Sequence, residues 1–257
     1  MTSTPNPSLA AHLDLSGKKA LVTGASRGIG AAIARSLAAA GADVAITYER
    51  SADRAEAVAG EIRALGRKAV AIRADSADAA AARAAVVQAH ADLGGLDILV
   101  NNAGVARGGP LETMSLEDID ALIGVNIRGV VLTTQAAIPL LSDGGRIINM
   151  GSCLADRVSL PGISIYSMTK SAMVALTKGL SRDLGPRRIT VNVVHPGPTD
   201  TDMNPADGPN RDAMLGGMSI KQYGTPQDIA NMVTFLASPA AGQITGSGFV
   251  VDGGVNA

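Results

Sequence analysis

Seven short apolar runs alternate with six long helical stretches along this 257-residue chain, and that rhythm admits few folds. β-like runs lie over 19–23, 43–48, 68–73, 97–101, 146–151, 188–195 and 248–252; helical stretches lie over 29–40, 51–65, 77–93, 115–141, 165–184 and 226–237. Runs such as Ala69-Val70-Ala71-Ile72 and Ile98-Leu99-Val100 are apolar throughout rather than alternating, as in strands covered by helices on both faces. A βαβα order built from such strands predicts right-handed crossovers and a doubly wound sheet. The expected fold class is therefore α/β, a three-layer sandwich around a seven-stranded parallel sheet. The length suits one domain over 17–257, preceded by a loose arm over 1–16 that holds two prolines and many small polar residues.

Aromatic residues make up only 2% of the chain and Trp is absent, so Ala, Val, Ile, Leu and Met have to build the core. A net charge of −1 offers no broad positive field for a polyphosphate backbone, so no nucleic-acid partner is expected. One Cys makes no internal disulfide. Residues 1–15 lack both a basic start and an apolar core, so no secretory signal is read there. No apolar run approaches the roughly 20 residues that span a bilayer. The expectation is a soluble, cytoplasmic protein without a membrane partner.

The segment 196–217, PGPTDTDMNPADGPNRDAMLGG, breaks the rhythm. It starts immediately after a strand, on the carboxyl edge where ligands bind such sheets, and reads as a structureless lid rather than a tolerated surface insertion.

Thr23-Gly24-Ala25-Ser26-Arg27-Gly28-Ile29-Gly30 follows the first strand and opens the first helix. Glycines there let the backbone turn sharply and approach a pyrophosphate, whose charge the amides at the helix N-terminus meet. The spacing is G-x-x-x-G-x-G, not the commoner G-x-G-x-x-G. The second strand should end near the adenosine ribose, where a carboxylate binds a 2′-hydroxyl and a basic residue a 2′-phosphate. The end reads Tyr48-Glu49-Arg50-Ser51, with Tyr48 terminal and Arg27 across the turn. Two guanidiniums suit a phosphate better than a diol, so NADP(H) is favoured; NAD(H) stays open, because Glu49 becomes the ribose acceptor if the strand ends one residue later.

Tyr166-Ser167-Met168-Thr169-Lys170 opens a long helix, and residues four apart share a helical face. A phenol normally titrates near pH 10; a neighbouring cation lowers that value and makes Tyr166 a usable acid or base. Ser152 ends the strand run at 147–151 on the carboxyl edge, where its hydroxyl is placed either to meet a carbonyl oxygen gaining negative charge or to cap a turn.

Together the turn at 23–30, Asn101-Asn102-Ala103-Gly104, Asn126, Ser152, Tyr166-x-x-x-Lys170 and Pro196-Gly197 resemble, in residue type and order, the short-chain dehydrogenase/reductases. The resemblance covers about 17–254 and points to the bacterial ketoreductase branch of 3-oxoacyl-carrier-protein reductase-like enzymes. It implies a Rossmann-like fold and an oxidoreductase that passes hydride between NADP(H) and a ketone or 3-oxoacyl substrate. By resemblance, Tyr166 gives the proton, Lys170 holds the nicotinamide ribose and lowers the Tyr166 pKa, Ser152 polarises the carbonyl, and Asn126 keeps a water in a relay to Lys170. Gly24, Ser26, Arg27, Gly28, Ile29 and Gly30 would meet the pyrophosphate, Tyr48, Arg50 and Ser51 the ribose phosphate, and Asp75 and Ser76 the adenine. Asn102, Ala103 and Gly104 would support the middle of the cofactor. Pro196, Gly197, Thr199 and Thr201 would hold the carboxamide, with pro-S delivery of the hydride. Thr199 departs from the family's usual Ile or Val.

The family commonly forms homotetramers through the helices that correspond here to 115–141 and 165–184, where Ala172, Ala175 and Gly179 repeat at helical spacing, with a second interface near the last strand. The stretch 197–205 also resembles a bacterial branch that includes a cyclic-di-GMP-binding biofilm-dispersal protein, so a regulatory nucleotide binder with little turnover is the alternative. Cys153 reads as a small apolar neighbour of a strand end rather than a nucleophile. His12, His90 and His195 are scattered without a metal-ligand pattern, so no zinc is expected, and His195 reads as satisfied by backbone. Asp200 and Asp202 read as turn residues of the lid, and Met203, Met214 and Met218 as adaptable apolar candidates for the substrate pocket.

Overall fold

The computed structural model describes residues 12–257. Strands β1 (Lys19–Val22), β2 (Asp43–Tyr48), β3 (Ala69–Arg73), β4 (Leu96–Asn101), β5 (Leu141–Met150), β6 (Thr190–Pro196) and β7 (Gly248–Val251) form one sheet in the order β3-β2-β1-β4-β5-β6-β7. Every ladder is parallel. The order reverses between β1 and β4, so the chain winds outward in both directions from that point. The carboxyl ends beside it form the crevice where such sheets bind ligands.

Helices α1 (Gly28–Ala39), α2 (Ala52–Ala64), α3 (Ala79–Leu93), α4 (Leu116–Ile123), α5 (Val130–Ala137), α6 (Ser164–Leu184), α7 (Arg211–Gly217) and α8 (Pro226–Ala237) accompany the strands. Side chains alternate across a strand, which is why uniformly apolar strands need two cores. Ala20 and Val22 of β1 and Ile98 and Val100 of β4 enter one core with Ile33 and Leu37 of α1 and Ile229 and Val233 of α8. Leu21 and Leu99, one residue out of phase, enter the other with Val86 and Ala89 of α3, Ala137 of α5 and Leu184 of α6. The seven-stranded doubly wound α/β sandwich read from the sequence is the fold observed.

Boundaries differ for local reasons. Asp78 caps α3, its carboxylate accepting from the Ala80 and Ala81 amides at 2.8 Å each, so that helix begins at Ala79 rather than 77. The strand expected from 188 begins at Thr190, because Arg188 sits in the left-handed region at φ 55. The stretch expected as one helix over 115–141 is α4, a π-helical turn (Gly124–Gly129) and α5. A Cβ on Gly129 would come within 2.4 Å of the Ser76 carbonyl, so the helix passes against the β3–α3 loop. Leu141 belongs to β5: it pairs with Leu96 and is buried before the ladder shifts register to Ile98–Arg146.

The segment 196–217 is not structureless. Its last third is α7, and its first part is pinned through Asp200 N to Gly224 O at 2.9 Å and Gly224 N to Pro198 O at 2.9 Å. The expectation of a loose arm over 1–16 falls largely outside the described residues. At its described end Leu15 is fully buried, and its amide donates to Ala40 O at 2.7 Å. Among the described residues no helix is long and apolar enough to cross a membrane.

Candidate active site

The glycine-rich turn is shaped by a hydroxyl and an amide. Thr23 Oγ1 accepts from the Asn102 and Ala103 amides at 3.0 Å each, while Asn102 Nδ2 donates to Thr23 O at 2.8 Å and Gly24 O at 3.0 Å. The Asn102 side chain is thus spent on holding the β1 turn against the end of β4. Gly24 and Gly28 have φ of 64° and 56°, which excludes most other residues. Gly30 is required for close approach: its Cβ would lie 2.4 Å from Asn102 Nδ2 and 2.7 Å from Gly24 O. Gly30→Ala is therefore expected to lose about 1–3 kcal/mol of stability from overpacking. Thermal unfolding checks this, and a variant melting with the parent would contradict the close approach.

This turn leaves the amino end of α1 with no side-chain cap, unlike α3, α4 and α8, and with no acidic residue in its first turn. The amides and the positive end of the helix face the crevice uncompensated. Beside Gly28 a Cβ would meet only the Thr201 side chain, at 3.5 Å. Backbone donors, an open approach at Gly28 and nearby guanidiniums fit the pyrophosphate of a dinucleotide.

At the end of β2, Tyr48 is half-buried, Arg50 is exposed and pairs with Glu49 at 2.7 Å, and Ser51 precedes α2 without capping it. The Asp75 carboxylate accepts from the Ala77 amide at 2.8 Å, shaping the β3 turn. On the other side of the crevice Gly197 donates to Val251 O at 2.9 Å, and Thr199 turns its hydroxyl onto Gly197 O at 3.0 Å, which accommodates a polar residue there.

Four expected side chains gather at the carboxyl ends of β4 and β5. Ser152 precedes a short 3₁₀ turn (Cys153–Ala155), and its Oγ accepts from the Leu154 amide at 3.2 Å. The same hydroxyl lies within hydrogen-bonding reach of the Tyr166 phenol, so serine and phenol face one point. Tyr166 and Lys170 lie one turn apart on α6, with Lys170 Nζ 5.9 Å from the centroid of the phenol ring. Nζ is buried and donates to Met150 O at 3.1 Å. Asn126, in the π turn, has both ends of its amide fixed: Oδ1 accepts from Val105 N and Nδ2 donates to Val105 O, each at 2.9 Å, with Thr169 Oγ1 at 3.1 Å. A Cβ on Gly104 would come 3.3 Å from both Asn126 Oδ1 and Lys170 Nζ, so glycine keeps open the point where the amide and ammonium converge.

The electrostatics correct one expectation. Burial, not the ammonium, dominates Tyr166: its pKa is raised, with the Ser152 hydroxyl working the other way. Lys170 is pushed down to about 8 by desolvation. Its ammonium is turned to the Met150 carbonyl, and burial of the phenol outweighs its pull. At neutral pH the site therefore holds a protonated phenol beside a buried ammonium.

Residues that sequence reasoning passed over support this set. Asn101 Nδ2 donates to Asn149 Oδ1 at 2.8 Å and Thr134 Oγ1 at 2.9 Å, and Asn149 Nδ2 donates to Thr177 Oγ1 at 2.9 Å. This buried polar ladder ties the ends of β4 and β5 to α5 and α6. His195 Nδ1 meets Ser152 O at 3.0 Å, and burial lowers its pKa, so the neutral ring donates from Nδ1 and braces the Ser152 turn. Gly151 makes room, since a Cβ there would lie 2.5 Å from His195 Nδ1. Cys153 is buried with its thiol pushed up, which keeps it an inert packing group. Of the three methionines, Met218 is buried against Gly253 rather than lining the crevice, Met214 is half-buried and Met203 is exposed.

Fold and site together define an oxidoreductase of the dinucleotide-binding α/β type. The family model described as enoyl-(acyl carrier protein) reductase matches residues 24–256. The chain is 43% identical over 241 residues to the cyclic-di-GMP-binding biofilm dispersal mediator protein of Escherichia coli, covering 94% of this chain and 98% of that one. It is likewise 43% identical over 241 residues to the 3-oxoacyl-acyl-carrier-protein reductase of Staphylococcus aureus, covering 93% and 98%. A crystal structure of a short-chain dehydrogenase from Burkholderia cenocepacia in complex with NADP superposes with a TM-score of 0.93 at 58% identity, covering 95% of this chain and 99% of that one. The chain belongs to the short-chain dehydrogenase/reductase family, in the 3-oxoacyl-acyl-carrier-protein reductase-like branch.

Proposed function

We propose that the protein is an NADPH-dependent carbonyl reductase that adds hydride to a ketone or 3-oxoacyl substrate, with Tyr166 as the general acid. The observation that carries this reading is the convergence of the Ser152 hydroxyl, the Tyr166 phenol and the buried Lys170 ammonium beside the uncapped α1 terminus. When bound, the dihydronicotinamide supplies the hydride. Ser152 donates to the substrate oxygen as negative charge develops on it. Tyr166, kept protonated by burial, passes its proton to that oxygen and completes the alcohol. Lys170 places a positive charge one turn away, which steadies the phenolate left behind. Asn126 acts as a positioning residue, locking the 105 backbone and Thr169 so that Lys170 faces the crevice. The NADP complex of the Burkholderia relative supports the choice of phosphorylated cofactor.

We take 17–257 as one domain, with 196–217 as the lid over its crevice. Leu116 and Ile123 of α4, Val131 of α5 and Met168 of α6 are large apolar side chains left exposed on the helices expected to pair copies into a homotetramer. The cytoplasm, where a lone buried thiol such as Cys153 stays reduced, is the compartment that fits.

The E. coli relative keeps a second reading alive, a cyclic-di-GMP binder with little turnover. A panel of ketones and 3-oxoacyl thioesters with NADPH separates the two. The proposal expects stoichiometric oxidation of NADPH with at least one of them, lost in Ser152→Ala. Silence across the panel, together with saturable binding of cyclic-di-GMP, would establish the alternative.

A further inference from the structure

Three segments remote in sequence meet at one carboxylate. Asp202, at the tip of the turn closed by Thr201 and Asn204, receives Arg27 Nη1 at 3.0 Å and Arg54 Nη1 at 2.8 Å on the same oxygen, Oδ2. Arg27 is the last residue before α1, and Arg54 lies in the first turn of α2, just beyond Tyr48 and Ser51. The two guanidinium nitrogens are thus within ~6 Å of each other, a separation at which like charges repel unless an anion lies between them. All three side chains are more than half exposed, so the site is open to exchange. The arginines hold the Asp202 carboxyl below the usual carboxylate range, the mark of an anion in use.

The place is the gap between the glycine turn and the end of β2, where a basic residue accommodates the 2′-phosphate of NADP(H). Sequence reasoning placed Arg27 there but missed Arg54, which lies in the first turn of the helix that follows the strand and is revealed only by what it grips.

We propose that Asp202 is a resident surrogate for that phosphate: it fills the anion site of Arg27 and Arg54, and binding of the 2′-phosphate displaces it and frees the 196–217 segment from the glycine turn. A phosphomonoester carries about −1.5 to −2 charges near pH 7 and three acceptor oxygens, against one charge and two oxygens for Asp202. It therefore outcompetes the carboxylate for two forks that bind bidentately. The carboxylate's advantage is its tether, which gives it a high local concentration and makes it an intramolecular competitor. NAD(H) has nothing to offer this site, so it leaves the Asp202 contacts in place. The device thus weakens binding of the phosphorylated cofactor somewhat and couples its arrival, but not that of NAD(H), to release of the lid.

This inference rests on the NADP(H) reading above, and the test separates them. Dissociation constants for NADP⁺ and NAD⁺ are measured by calorimetry on the parent, Asp202→Asn and Arg54→Ala, and amide exchange over 199–206 is followed with and without each nucleotide. Asp202→Asn should bind NADP⁺ about threefold to tenfold more tightly, the scale of losing two exposed ion pairs as competitors, with NAD⁺ within about twofold of the parent. Arg54→Ala should lose about tenfold in NADP⁺ affinity and leave NAD⁺ unchanged. In the parent, exchange over 201–204 should rise with NADP⁺ but not with NAD⁺, and Asp202→Asn should show that rise without nucleotide. A parent that prefers NADP⁺ while both variants bind it as the parent does would overturn the surrogate alone. A parent that prefers NAD⁺ would overturn the cofactor reading along with it.

Discussion

Tyr166→Phe is expected to lower the turnover of carbonyl reduction by roughly 10²–10⁴-fold, the contribution of a positioned general acid, while NADPH still binds. The substitution removes one hydroxyl and keeps the ring, so packing against α6 and the 5.9 Å approach of Lys170 Nζ to the ring survive. Ser152 keeps its hydroxyl but has only the strength of an alcohol hydrogen-bond donor, so it polarises the carbonyl without completing the proton transfer. The loss should appear in kcat far more than in the cofactor dissociation constant, because the missing interaction belongs to the transition state. Steady-state kinetics with a saturating ketone and NADPH titration by fluorescence check both halves. Turnover near the parent's would remove Tyr166 from the chemistry, and loss of NADPH binding would make it a cofactor contact instead.

The sequence discloses the sheet because uniformly apolar strands alternate with amphipathic helices, and only two-sided burial satisfies that pattern. The doubly wound topology is legible from the βαβα order, whereas the strand order is not, and the glycine turn is legible because its spacing is tied to one backbone geometry. Side-chain use was not legible. Nothing in the local sequence tells that the Asn102 amide holds the turn, that Asn126 locks the backbone of residue 105, or that Arg54 and Asp202 meet across 148 positions. The π turn at Gly124–Gly129 was hidden for a related reason: periodicity over 115–141 is nearly helical throughout, and the extra residue that turns Asn126 inward is enforced by contact with the Ser76 loop. The sign of the Tyr166 shift also lies beyond sequence. Four-residue spacing brings an ammonium near a phenol, but burial of the phenol and the Met150 carbonyl decide what the pair does.

Lys170→Met should make the protein more stable at neutral pH while abolishing reduction. The Lys170 ammonium is buried, and desolvation brings its pKa from 10.5 to about 8. A folded-state pKa below the unfolded value means that, between about pH 8 and 10.5, the unfolded chain holds a proton that the folded one has released. Stability therefore rises with pH across that window; the penalty is present in full below about 8 and absent above 10.5. At about 1.4 kcal/mol per pKa unit, the penalty at pH 7 is on the order of 3 kcal/mol. Methionine matches the stem in length and flexibility and carries no charge, so the variant escapes it. The Met150 carbonyl loses its donor, which returns about 1 kcal/mol, leaving a net gain of about 2 kcal/mol and an apparent melting temperature higher by ~4–8 °C. The gain should shrink steadily as the pH rises from 8 towards 10.5, at fixed protomer concentration so that assembly does not enter. The same substitution leaves the Tyr166 phenolate without a neighbouring cation, so kcat should fall by about 10²-fold or more. A variant less stable than the parent by the same amount at every pH would mean that the ammonium is welcome in its site. A stable, inactive variant with a pH-dependent gain would show that the fold tolerates this buried charge for the sake of the reaction.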